Sequence, residues 1–112
     1  MKKFKLVWSS RSECGPNRKK NEDSIYPPQS GSDTPPFKAA VCDGLGGHVS
    51  GEIASNIAIR TLEEVNGNLS NLITNANKKI LEFQDDNPES IGMGTTMTVI
   101  TIDEEAFMKI GH

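Results

Sequence analysis

Three acidic side chains stand where a sheet-borne site would need them. Glu22 and Asp23 open a short β-prone piece, and Asp43 ends an apolar run, residues 37–42, at a turn rich in glycine. Carboxylates on a rigid sheet edge suit hard divalent cations such as Mg²⁺ and Mn²⁺, which take oxygen ligands and keep several waters. Gly44, Gly46 and Gly47 let the chain turn sharply and a ligand come close, because no Cβ intervenes. The carbonyl of Gly44 is a natural further oxygen ligand. Taken singly, the same residues have blander readings. Asp43-Gly44 reads as a plain strand-to-helix turn, and Glu22-Asp23 as a solvated pair beside Arg18, Lys19 and Lys20. Zinc-type chemistry is a poor alternative, since two cysteines and two histidines show no such spacing. A nucleotide phosphate loop built on Gly44 to Gly51 is a weak reading: the glycines follow an aspartate and lack the Lys-Ser/Thr pair.

The elements that must position these residues alternate between sheet and helix patterns. Phe4, Leu6 and Trp8 alternate with Lys5, Val7 and Ser9 and predict a half-buried strand. Ser24-Ile25-Tyr26 is a second short strand. Residues 27–36, rich in proline and serine, read as an exposed loop. Residues 37–42 form the next strand. Ser50 is a candidate N-cap, followed by an apolar stripe at helical spacing through Ile57, Leu62 and Val65 to a stop at Asn66-Gly67. Leu69, Leu72, Ala76, Ile80 and Phe83 predict a second helix, ended near Pro88 and paired with the first as a hairpin. Residues 95–102 form one long β-branched strand whose two faces carry no charge, which predicts cover on both sides. Asp103-Glu104-Glu105 turns the chain into a returning strand at 106–110.

Composition bounds the function. The 112 residues suffice for one small domain with a modest core. With 12 basic against 15 acidic residues, the net charge of −3 argues against a dedicated nucleic-acid binder. No apolar run is long enough to span a bilayer, and the basic N-terminus lacks the apolar core of a signal peptide. A cytoplasmic location is expected, with Cys14 and Cys42 as free thiols.

Three motifs occur in order: Arg18-x-x-Asn21-Glu22-Asp23, then Val41-x-Asp43-Gly44-x-Gly46-Gly47-His48-x-x-Gly51-Glu52-x-Ala54-Ser55, then Met93-Gly94-Thr95-Thr96. Together they resemble the metal-dependent protein serine/threonine phosphatases of the PPM (type 2C) family in its bacterial form, over nearly the whole chain. The resemblance implies an α+β fold, an αββα sandwich of two antiparallel sheets flanked by helical hairpins. It implies two cations, Mg²⁺ or Mn²⁺, with Asp43 bridging them, Glu22 as a ligand and Gly44 ligating through its carbonyl. Asp23 matches an acid that orients water beside the metals, and Arg18 matches the arginine that grips the substrate phosphate. The implied reaction is in-line attack of metal-activated water on phosphoserine or phosphothreonine in proteins, opposing a kinase in signalling.

The chain departs from the family in two ways. Leu45 stands where some relatives place a histidine proposed as the general acid, so that role is not carried over, and His48 reads as structural. Residues 1–112 match only the N-terminal half of the catalytic domain, without the later aspartates, so the chain alone is expected to be weak or inactive. The competing expectation is a non-catalytic half-domain that self-associates through unpaired strands and serves as a scaffold or regulatory binder.

Overall fold

A computed structural model describes residues 4–46 and 50–112. Its elements run β1 (Leu6–Trp8), β2 (Asp23–Tyr26), β3 (Gly31–Asp33), β4 (Phe37–Leu45), α1 (Ser50–Glu64), α2 (Leu69–Asp86), a short 3₁₀ turn at Pro88–Ser90, β5 (Gly94–Thr95), β6 (Thr98–Ile102) and β7 (Met108–Gly111). All pairings are antiparallel. The main sheet has the order β2-β4-β6-β7, with β5 added on the far end of β4, and a two-stranded sheet joins β1 to β3. Two antiparallel sheets and a helical hairpin make the expected α+β fold.

Side-chain alternation along β4 divides the main sheet into two faces. Ala40 and Cys42, with Val99 of β6, point under the helices and are buried. Against them α1 sets Ala58, Ile59 and Leu62, and α2 sets Leu72 and Ala76. Full burial of Leu62, Leu72 and Val99 stabilises the fold by about 1.5–3 kcal/mol each. Asn68 caps α2 by accepting the Asn71 amide at 2.9 Å. At the far end of α1, the Lys38 ammonium reaches up from β4 to the carbonyl of Leu62 and, at 3.4 Å, to that of Val65. A cation there complements the negative end of the helix. No helix among the described residues is long and apolar enough to cross a membrane.

The structure corrects four expectations. The segment at 27–36 is not loop throughout, since Gly31–Asp33 pairs with β1. That strand is made by backbone pairing and by Trp8, whose indole N–H donates to Gln29 O at 2.9 Å and whose ring lies over Gly31, where a Cβ would come within 2.9 Å of it. The β4 strand does not stop at Cys42 but runs through Asp43 and Gly44 to Leu45, because β5 pairs with its end. The long strand at 95–102 is broken at Thr96-Met97, where the chain passes from the end of β4 to its middle. Its two faces also differ. Val99 is fully buried under the helices, whereas Ile100 and Ile102 on the opposite face are half-buried and Val41 and Ile110 beside them are exposed. A fifth expectation shifts by one residue: Ser50 is the buried first residue of α1 and not the cap before it, and His48 lies outside the described residues.

Candidate active site

The open end of the main sheet brings the predicted acids together. Antiparallel pairing of β2 with β4 sets Asp23 directly opposite Asp43, on the face away from the helices. Adjacent strand residues point to opposite faces, so Glu22 turns the other way. Its Oε2 lies against Gly51 in the first turn of α1, where a Cβ would come within 2.2 Å of it. Gly44 is as tightly framed: a Cβ there would meet Gly51 O at 2.0 Å and Glu22 O at 2.7 Å. Gly44 is therefore demanded by close approach of backbone rather than by its own conformation, whereas at Gly51 the first obstacle is a side chain.

Hydrogen bonds fix this edge from three sides. The Gly44 amide donates to Glu22 O at 3.1 Å, extending the ladder past β2. Thr96 brackets Asp43, accepting its amide on Oγ1 at 3.0 Å and donating its own amide to Asp43 O at 2.8 Å. Asn21 accepts the Asp23 amide on its side chain at 3.1 Å and donates to Ser12 at 2.8 Å, which ties the loop before β2 to the strand. Thr96 thus ties the Met93-Gly94-Thr95-Thr96 motif to the Asp43 segment.

Partial desolvation, then the hydrogen bond and charge of Asp43, push the Asp23 carboxyl above its ordinary value, while Arg18 pulls it back. Arg18 lines a recess of about 240 Å³ with Lys20, Asn21, Glu22, Asp23 and Asp43. Its loop is held by the Arg18 amide on Gly15 O at 3.1 Å and the Cys14 thiol on Arg18 O at 3.2 Å. An anion entering the recess meets Arg18 together with the carboxylates of Glu22, Asp23 and Asp43, whose repulsion a cation beside the acids offsets. Two facing carboxylates with only oxygen donors suit Mg²⁺ or Mn²⁺ in kind. Among the described residues, no three acidic, histidine or cysteine side chains converge tightly enough to hold a metal alone. The donors fit part of a cation site.

Sequence reasoning named Arg18, Glu22, Asp23, Asp43 and Gly44, and the structure gathers all five at one edge. It missed the work of Asn21, Gly51 and Ser55, although each lies inside a quoted motif. Their contacts span the two motifs and show only once β2, β4 and α1 are assembled.

No protein-family model matches the chain. It is 36% identical over 104 residues to the serine/threonine protein phosphatase PstP of Mycobacterium tuberculosis, covering 85% of this chain and 19% of that protein. It is 34% identical over 70 residues to the serine/threonine phosphatase stp of Listeria monocytogenes, covering 51% of this chain and 28% of that protein. The chain thus spans less than a third of the length of either relative. The fold matches a crystal structure of the M. tuberculosis phosphatase PstP/Ppp with a TM-score of 0.65 and 28% identity, over 90% of this chain and 43% of that one. It also matches the catalytic domain of PstP in complex with two manganese ions, with a TM-score of 0.59 and 31% identity, over 88% and 43% of the two chains.

Proposed function

We propose, for a chain that belongs to the bacterial PPM-type serine/threonine phosphatases and represents part of their domain, that it contributes the phosphate-gripping and cation-holding edge of a protein phosphatase. The single observation that carries this reading is the Asp23–Asp43 pair facing across β2 and β4, with Arg18 beside it in one recess. Asp43, Glu22 and the Gly44 carbonyl are assigned as ligands of Mg²⁺ or Mn²⁺, of which the complete site takes two. The cations, when bound, offset phosphoryl charge and lower the pKa of water. Arg18 presents a planar fork to two phosphate oxygens and orients the ester. Asp23, whose carboxyl is raised by Asp43 and by partial desolvation, orients water toward phosphorus. Residues 1–112 are read as the N-terminal part of the domain. With few ligands of its own, the chain alone has low cation affinity and low turnover.

Substrates in this reading are phosphoserine and phosphothreonine proteins, in opposition to a kinase. An exposed free thiol at Cys14 fits a reducing, cytoplasmic setting. The test is phosphate release from a phosphothreonine peptide by the 112-residue chain, with Mn²⁺ or with EDTA, beside Asp43→Asn. Slow release that disappears in EDTA and in the variant is expected. Release that survives both overturns the reading, and none from a folded chain at saturating Mn²⁺ means that these residues hold only part of the site.

One observation favours a second reading. Val41, Met108 and Ile110 are exposed on the sheet face that the helices do not cover. A non-catalytic half-domain that pairs with another copy through that face would bury them. Light scattering separates the two: a dimer without metal-dependent hydrolysis supports this second reading, and a monomer that hydrolyses the peptide removes it.

A further inference from the structure

Ser55 lies on α1, fully buried, with no part in the core clusters. Its hydroxyl donates to Glu22 O at 2.7 Å, across 33 residues of sequence, and lies 3.1 Å from Glu52 O in its own helix. Ser24 Oγ sits 2.9 Å from Ser55 Oγ, a pair in which either hydroxyl can donate, and 3.2 Å from Asn56 Oδ1, to which it donates. Glu22 O therefore takes two hydrogen bonds, from the Ser55 hydroxyl and from the Gly44 amide. One carbonyl joins β2, β4 and α1.

We infer that Ser55 is a positioning residue for cation binding: it locks α1 onto the Glu22 carbonyl and so fixes both the Glu22 carboxylate and Gly44. The inference rests on the reading of Glu22 and Gly44 as cation ligands. The geometry leaves little alternative work for the hydroxyl. A serine needed only to fill space under a helix would be served by alanine, and a serine back-bonding within its helix would reach Glu52 O alone. Because Glu22 Oε2 is wedged against Gly51 at the start of the same helix, a small slide of α1 moves the carboxylate directly. Groups that orient ligands without touching the metal commonly change its affinity by an order of magnitude or more.

The experiment compares Ser55→Ala and Ser55→Cys with the unaltered chain and with Thr61→Val. Cysteine keeps the volume and donates weakly, so it covers the case in which alanine fails to fold. Thr61 is a fitting control, a buried hydroxyl on α1 that, among the described residues, bonds only to Ile57 O, at 2.8 Å. Mn²⁺ affinity is measured by calorimetry, and amide exchange at Gly44 is measured in EDTA. Both Ser55 variants should bind Mn²⁺ about tenfold more weakly and exchange the Gly44 amide faster, while Thr61→Val loses stability yet matches the unaltered chain in both. Ser55 variants that fold and bind Mn²⁺ normally remove the role of Ser55 and leave the ligand assignment standing. An unaltered chain that binds no Mn²⁺ removes the ligand assignment, and this inference with it.

Discussion

Asp43 and Thr96 hold each other at two points: the Asp43 amide donates to Thr96 Oγ1 at 3.0 Å, and the Thr96 amide donates to Asp43 O at 2.8 Å. The break between β5 and β6 falls at this residue, so the interruption of the strand serves the aspartate. Thr96→Val keeps the shape and deletes one of the two bonds. It should lower stability to urea by about 1 kcal/mol, and Thr96→Ser should restore most of that loss.

Gly44 and Gly51 face each other but should respond differently to alanine. A Cβ at Gly44 strikes backbone, Gly51 O at 2.0 Å and Glu22 O at 2.7 Å, so strand or helix must move. A Cβ at Gly51 strikes first the tip of Glu22, which can swing away. Gly44→Ala should therefore fail to fold or melt far below the unaltered chain. Gly51→Ala should fold and lose Mn²⁺ affinity. Thermal melting in EDTA beside Mn²⁺ calorimetry checks both.

Lys38 gives stability a dependence on alkaline pH. Burial lowers its pKa from the ordinary 10.5, and Glu63 nearby raises it back in part. Between the lowered value and 10.5 the unfolded chain binds more proton than the folded one, so stability rises with pH across that window. Below the window the cost of burying the charge is fully present, and above it the cost is gone. The buried Cys42 thiol titrates in the opposite sense over the same range, so urea midpoints should climb with pH in a Cys42→Ala background and the climb should be absent when Lys38→Met is added.

The two thiols should separate cleanly. Cys42 is buried in β4, and burial pushes its thiol up to about 11, whereas Cys14 is exposed. A disulfide reagent at pH 8 should titrate one thiol per folded chain quickly and the second only in denaturant. Two fast thiols would contradict the burial of Cys42.

Much of this was legible in the sequence, for physical reasons that differ by element. The stripes of α1 and α2 and the run at 37–42 bury apolar side chains at regular spacing, so periodicity reported them. The Gly31–Asp33 strand buries almost nothing and exists through backbone pairing with β1, which leaves no apolar pattern. The continuation of β4 through Asp43-Gly44 was hidden for a related reason: glycine ordinarily marks a turn, and only the arrival of β5 makes it a strand. Glu22 and Asp23 announced themselves as a pair. That alternation sends one toward the helix and the other toward Asp43 became visible only with the register of β2 against β4. Ser55 was quoted within its motif, but its partner is a backbone carbonyl, and side-chain type carries no sign of that.

The most direct measurement of the central claim is a Mn²⁺ titration of the folded 112-residue chain followed by electron paramagnetic resonance, with Asp43→Asn in parallel. The account predicts saturable binding by the unaltered chain, reversed by EDTA and lost in the variant. A folded chain that binds no Mn²⁺, or a variant that binds it as tightly, would contradict the claim that the Asp43 edge is a cation site.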